Sequence, residues 1–356
     1  MCESVGVCYS SRAMYICRNV QEMKAYTPGE QPKEPGIIKL NTNENPYPPS
    51  PKVDEAIKHF DYARLRLYPD PVFMALRERI AAIHGCSVQQ IFIGNGSDEI
   101  LALCTRAFVE VDGSIGYFLP SYSLYPVLTE SRGVELRPVK LNDDFSWRMP
   151  EGFSASLFFM TNPNAPTSIR YDKSVVKAFC KSFNGVVLID EAYGDFADVN
   201  CMDLALAKDN ANTLVMRTFS KSFSLAGMRF GYVIGPAELI GAFYKIKDSY
   251  NMDMLAQVIG LAALNDLPYM RENVRRIRAT RDRLTGELRR RGWRVCDSQT
   301  NFLFARPPDG NAQRVFEALK DVKIFVRYFP GPVTGEYLRI TIGTEEQTDA
   351  LLAHLA

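Results

Sequence analysis

The stretch from Arg217 to Tyr232 carries the densest chemistry in the chain, with Lys221 between Ser220 and Ser222 and Arg229 eight residues further on. Hydroxyls, glycines and two cations at this spacing suit an anionic phosphate held beside a reactive amine. Arg229, Ser220 and Ser222 could gather on one phosphate, and a nearby cation would lower the lysine's proton affinity toward nucleophilicity. By itself Lys221 reads as a solvated loop lysine; its neighbours change that reading. A second candidate is Asp190, at the end of the apolar run Val186-Val187-Leu188-Ile189. A strand ending in a carboxylate places it at the carboxyl edge of a sheet, where open α/β proteins bind ligands. An ordinary capping aspartate fits that motif in isolation equally well. A third is Gly94-Asn95-Gly96-Ser97-Asp98-Glu99, which follows a strand and opens a helix. The free N–H groups of a helix start attract anions. Glu99 stands where a dinucleotide fingerprint needs glycine, and the Gly-Lys-Ser/Thr of a nucleotide loop is missing. A plain capped helix start remains open there.

The elements that must position these residues alternate from residue 91 onward. Strands are expected at 91–93, 114–118, 135–139, 157–160, 186–190, 213–217 and 230–234. Helices are expected at 97–109, 122–129 and 173–182. Short, nearly continuous apolar strands between helices predict an α/β fold with a mainly parallel sheet covered on both faces. Before it come a Pro- and Gly-rich arm, a helix near 53–60 and an amphipathic helix over 72–84. After it, helices at 236–250, 256–264 and 268–291 lead into a smaller α+β unit.

Composition narrows the chemistry further. Apolar residues are 46%, charged residues 23%, and the net charge of +1 gives no reason to expect nucleic acid or a membrane surface as partner. Nine arginines fall between Arg271 and Arg291, but interspersed acids and a regular apolar stripe favour a solvated helix face. No apolar run approaches the roughly 18 residues of a membrane span, so a cytoplasmic address is the default expectation. The eight cysteines form no C-x-x-C pair, and three histidines leave little for a metal cluster. Cys86, Cys104 and Cys180 are expected in the core, and Cys2, Cys8 and Cys17 in an N-terminal extension.

Taken together, Asp190-Glu191-Ala192-Tyr193, Ser220-Lys221-x7-Arg229-x-Gly231, Gly96-Ser97-Asp98 and the Asn-Pro-x-x-Pro-Thr run at 162–167 resemble the fold-type I, aspartate-aminotransferase-like pyridoxal-phosphate enzymes. Leu40-Asn41-Thr42-Asn43-Glu44-Asn45-Pro46, Tyr68-Pro69 and Leu338 to Thr344 are similar, more narrowly, to the histidinol-phosphate aminotransferase family. The resemblance implies a seven-stranded large domain at 47–250. The arm at 1–46 and residues 251–356 would form the small domain. It also implies pyridoxal 5′-phosphate as cofactor, with Lys221 as its Schiff-base lysine and Asp190 at the pyridine nitrogen. Tyr193 would donate to the ring oxygen, Tyr122 would stack on the ring, and Gly96, Ser97, Asp98, Ser220 and Arg229 would hold the phosphate. Tyr68 would reach the neighbouring subunit's cofactor, which makes a homodimer with shared active sites the expected assembly. Arg339 would clamp the α-carboxylate of glutamate and Arg327 the phosphate of a phosphorylated amino alcohol, with Tyr26 and Asn43 as further substrate contacts. Arg327 and Tyr26 could equally be surface residues.

The implied reaction moves an amino group between L-histidinol phosphate and 2-oxoglutarate. A threonine-phosphate decarboxylase or an aromatic amino-acid aminotransferase would share the fold, and a cofactor-binding regulator is the non-enzyme alternative. One position departs from the family pattern: Ala165 stands where an asparagine usually bonds the ring oxygen. Either Asn164 swings in from next door, or Tyr193 acts alone on a less stabilised oxygen.

Overall fold

The computed structural model describes residues 15–355. Residues 1–14, with Cys2 and Cys8, lie outside them. After a two-residue strand in the arm, β1 (Ile38–Lys39), seven strands form the main sheet. They are β2 (Ile91–Asn95), β3 (Ser114–Leu119), β4 (Glu135–Lys140), β5 (Leu157–Thr161), β6 (Val186–Asp190), β7 (Thr213–Thr218) and β8 (Phe230–Ile234). Their order is β2-β8-β7-β6-β5-β3-β4, parallel throughout except for β8, which runs against both of its neighbours. The near-continuous apolar strands are explained by burial on both faces. Phe158, Met160 and Ile189 pack into one layer of core, while Phe159, Leu188 and Met216 pack into the other.

Helix boundaries differ from expectation where loops do chemistry. The helix expected at 122–129 runs Leu124–Arg132, leaving Ser121 and Tyr122 in the preceding loop. It stops at Gly133, whose φ of 73° suits glycine. The helix Met254–Leu264 packs Ala256, Ile259 and Ala263 into the core of the large sheet. Sequence alone divides the chain at 250, but this packing keeps the helix with the larger unit. The 24-residue helix Leu267–Arg290 then crosses over and buries Val274, Ile277, Leu284 and Leu288 in the second core. Several of its arginines are turned to partners: Arg278 pairs with Asp198, and Arg281 donates to the carbonyls of Phe196 and Thr300.

The second core belongs to an antiparallel sheet of β9 (Arg294–Val295), β10 (Phe302–Arg306), β12 (Arg327–Tyr328) and β13 (Leu338–Thr341), in the order β12-β13-β10-β9. Between them β11 (Ile324–Phe325) pairs in parallel with β1, tying the arm to this domain. Beyond Leu40 the arm bonds to both units, Asn43 to Thr341 and Tyr193, and Asn45 to the carbonyls of Lys221 and Ser222. Among the described residues, no helix is long and apolar enough to cross a membrane.

Candidate active site

The carboxyl ends of β5, β6 and β7 bring Thr161, Asp190 and Thr218 to one edge of the sheet, where a cavity of about 230 Å³ opens toward the small domain. Its wall contains Lys221, Asp190, Tyr193, Tyr122, Ser97, Asp98, Ser220, Arg229, Asn43, Tyr26, Arg327 and Arg339. One cavity therefore collects nearly all of the residues singled out in the sequence.

Lys221 follows β7 by three residues and is partly exposed, its Nζ donating to the carbonyl of Thr42 at 3.1 Å. Burial first, and then the nearby Arg339 charge, lower its amine to about 8, against the opposing pull of Glu44 and Asp98. An amine in that range is a usable base and nucleophile at neutral pH. Behind it, Arg217 forks onto Glu191 at 2.7 and 2.9 Å, with both side chains buried. Asp195 joins this pair and accepts from the hydroxyl of Ser222. Ser222 thus braces the lysine turn from behind, and the cavity wall does not include it.

Asp190 is 3% exposed. Its two oxygens accept from the Tyr125 hydroxyl at 2.8 Å and from the Ala192 N–H at 3.0 Å. Burial raises its carboxyl to about 6 although both donors favour the charged form. Tyr193, three residues on, is buried, and burial raises its phenol too. Its hydroxyl accepts from the side-chain amide of Asn43 at 2.9 Å.

The phosphate-type subsite is built from a helix start and a glycine pair. Gly96 opens the helix Gly96–Ala107 at φ 81°, and a Cβ there would sit 2.8 Å from Arg229 Nη2. A Cβ at Gly231 would sit 2.8 Å from the Ser97 amide nitrogen. Both glycines let a strand, a helix start and a guanidinium converge on one point. Arg229 directs one donor to Asp98 at 3.1 Å, and Asp98 also accepts from the Tyr122 hydroxyl at 3.3 Å. Tyr26 meets the Tyr122 ring edge-on at 6.1 Å, so the arm closes this side of the cavity.

On the small-domain wall, β12 and β13 place Arg327 directly opposite Arg339. Arg339 donates to the carbonyl of Asn41 at 2.7 Å, while its buried Nε has no partner among the described residues. Arg327 reaches the carbonyls of Thr27 and Pro28 and lies over the Phe329 ring at 5.2 Å. Burial holds the Arg339 guanidinium below its usual range. Two guanidinium forks with donors to spare fit an anion with planar or tetrahedral oxygens.

Three expectations need correction or relocation. Asn164 does not swing in: its amide donates to the Pro120 carbonyl and the Thr167 hydroxyl, and its oxygen accepts from Ser121. Those bonds hold the loop, and Ala165 and Pro166 form the wall instead. Asn43 is turned to Tyr193 and Thr341 rather than left free for a substrate. Tyr68 lies away from this cavity, 79% exposed and stacked on Tyr250 at 4.3 Å. Sequence reasoning missed Tyr125, the Asp190 partner, and Thr42, the carbonyl under Lys221. Thr42 acts through its backbone carbonyl and Tyr125 meets Asp190 from 65 residues away, so no local pattern signals either.

A family model for aminotransferase class I and II matches residues 35–355, and the chain belongs to that family. Within it, the chain is 45% identical to the histidinol-phosphate aminotransferase of Syntrophotalea carbinolica, over 95% of this chain and 98% of that protein. It is 42% identical to the enzyme of that name from Geobacter sulfurreducens, over 95% and 97%. Among solved structures, the histidinol-phosphate aminotransferase of Sinorhizobium meliloti in complex with pyridoxal-5′-phosphate is similar, with a TM-score of 0.85 at 26% identity, covering 97% of each chain. An aspartate aminotransferase mutant from Thermus thermophilus shares the fold at 19% identity and a TM-score of 0.77.

Proposed function

We propose that this protein is a pyridoxal-phosphate-dependent aminotransferase that moves an amino group between L-histidinol phosphate and 2-oxoglutarate. The residues of the cavity fit that cofactor. A cationic, glycine-walled cradle at 96–98 and Arg229 suits its phosphate, and a buried carboxylate at Asp190 suits its ring nitrogen. Tyr193 lies to one side for the ring oxygen, Tyr122 offers an aromatic face, and Lys221 supplies the amine. When bound, pyridoxal phosphate supplies a carbonyl carbon for amines and a ring that draws electron density from the substrate's α-carbon.

The chain's own groups divide the remaining tasks. Lys221 Nζ, depressed to about 8, takes a proton from the substrate carbon and returns it. Asp190 keeps a negative charge against the ring nitrogen with the help of Tyr125 and the Ala192 amide. Arg339 offers its unpartnered Nε to a carboxylate, and Arg327 beside it offers charge to a phosphate. That in-register arginine pair, facing the lysine across one cavity, is the observation that carries the substrate reading. It suits an enzyme that must accept a carboxylate in one half-reaction and a phosphate in the other.

Tyr68 enters the reading through a second copy. Tyr62, Leu65, Leu67 and Tyr68 are all at least half exposed on one short segment, an apolar surface suited to a homodimer in which Tyr68 reaches the other subunit's cofactor. The testing experiment is 2-oxoglutarate-dependent glutamate formation across a panel of amino donors. Histidinol phosphate should exceed tyrosine and phenylalanine by on the order of 100-fold in kcat/KM, from one charge-assisted contact. Equal rates would rule out the histidinol-phosphate reading.

A further inference from the structure

We infer that Asn43 is a positioning residue that fixes the direction of the Tyr193 hydroxyl proton, and so supplies through Tyr193 the polar support that the methyl group of Ala165 cannot give. This rests on the cofactor reading above. Asn43 is 1% exposed and adopts φ 56°, a left-handed conformation that asparagine tolerates better than most residues. Every polar group it has is engaged. Its backbone N–H donates to Thr341 Oγ1 at 3.0 Å, and its carbonyl accepts from the Asn301 amide at 3.0 Å. Its side-chain oxygen accepts from Thr341 Oγ1 at 3.0 Å, and its side-chain nitrogen donates to Tyr193 Oη at 2.9 Å.

The network also sets which end of the amide is which. Thr341 Oγ1 accepts from the Asn43 backbone, and its own proton reaches the Asn43 side-chain oxygen. Flipping the amide would strand that buried proton. Tyr193 therefore accepts from Asn43. Its own proton, with no acceptor among the described residues, is left for the cavity. An N–H pulling on the phenol oxygen also strengthens the hydrogen bond that this oxygen donates onward. A cofactor ring oxygen facing Ala165 would receive one stronger bond from Tyr193 in place of two ordinary ones.

The test is the pH midpoint of the visible absorption of the bound cofactor in purified holoenzyme. Asn43→Asp keeps size and tolerance of the left-handed turn but replaces the donor with an acceptor, which draws the Tyr193 proton away from the cavity. Its midpoint should rise by about one pH unit or more, a tenfold change in proton affinity. Asn43→Gly, which keeps backbone freedom and removes the amide, should rise by less, and Ala165→Asn added to it should bring the midpoint back. The charged groups facing Tyr193 and Lys221, namely Arg339, Arg229, Glu44, Asp98 and Asp190, are unchanged in all of these. Asn43→Asp, however, adds a carboxylate whose own charge also raises the midpoint, so the uncharged Asn43→Gly and its Ala165→Asn partner carry the decision. A merely structural role for Asn43 would lower thermal stability and leave the midpoint in place. An unmoved midpoint in fully loaded Asn43→Gly overturns the inference. If the Asn43 variants do not fold, Ala165→Asn alone decides it. With Asn43 already acting, that change should shift the midpoint by less than about 0.3 unit, and a drop of about one unit overturns the compensation. A wild-type protein with no pH-dependent visible band would instead overturn the cofactor reading itself.

Discussion

On the sheet-domain wall of the cavity, the inward-facing groups already have partners inside the protein. Asp190 holds Tyr125 and a backbone amide, Tyr193 holds Asn43, and Arg229 holds Asp98. On the small-domain wall, Arg327 and Arg339 stand opposite each other on adjacent strands, and among the described residues neither meets a carboxylate. Arg339 has the Asn41 carbonyl and the rings of Phe302 and Phe329 for company, and among the described residues no opposite charge on this wall offsets the water that burial removes from it. The first wall keeps its geometry whether or not a ligand is present. The second gains most when an anion arrives, which suits a group that must come and go in each turnover. The two walls should therefore fail differently.

The largest failure should come from the first wall. Lys221→Ala should lower turnover by on the order of 10⁴-fold or more, since it removes both the amine and the proton carrier. It should also abolish visible absorption by bound cofactor. Substantial activity in that variant would dissolve the distinction between the walls, because the reactive group would then lie elsewhere.

The second wall should fail by substrate rather than by chemistry. Arg339→Ala should reduce kcat/KM for 2-oxoglutarate by about 100-fold, the loss of a charge-assisted fork. Its effect on the phosphorylated donor should be at most a few-fold. Arg327→Ala should show the reverse preference, by roughly 10- to 30-fold because that side chain is the more exposed of the pair. Measuring both half-reactions separately checks the crossing pattern. Equal losses for both substrates in both variants would mean that the arginines form one undivided charge.

The same contrast explains what could be read from the chain in advance. The fold was legible because strands buried on both faces must be nearly continuous in apolar residues, as in Val186–Ile189 and Leu157–Met160. Lys221, Asp190 and Arg229 were legible because each sits in a short local pattern whose residue types already state the chemistry. The partners were not. Asn43 meets Tyr193 from 150 residues away, Tyr125 meets Asp190 from 65, and Asn41 meets Arg339 from 298. Nothing local marks such a contact. Asn164 and Ser222 show the opposite error. Both stand beside the right residues, but loop hydrogen bonds to Ser121, Thr167 and Asp195 decide which way they point.

The smallest effect concerns whether the first wall is as preorganised as its contacts imply, and Tyr125 decides it. Asp190 is raised to about 6 in the fold from an ordinary value near 3.8. The folded protein therefore binds the extra proton between those values, and the apo protein loses stability as pH rises from about 4 to above 6. The Tyr125 hydroxyl donates to the charged carboxylate and limits that loss. Tyr125→Phe should raise the folded value further, so the decline continues to higher pH. The gap in unfolding free energy between wild type and variant should widen from pH 4 to pH 8 by about 1–3 kcal/mol, the cost of leaving a buried charged acceptor one donor short. Part of the gap will not depend on pH, because the same hydroxyl also meets Thr161. Urea unfolding of both apo proteins at pH 4.5 and pH 8 separates the two parts. A gap of the same size at both pH values would mean that Tyr125 packs beside Asp190 without holding its charge, and the wall would owe its readiness to the Ala192 amide alone.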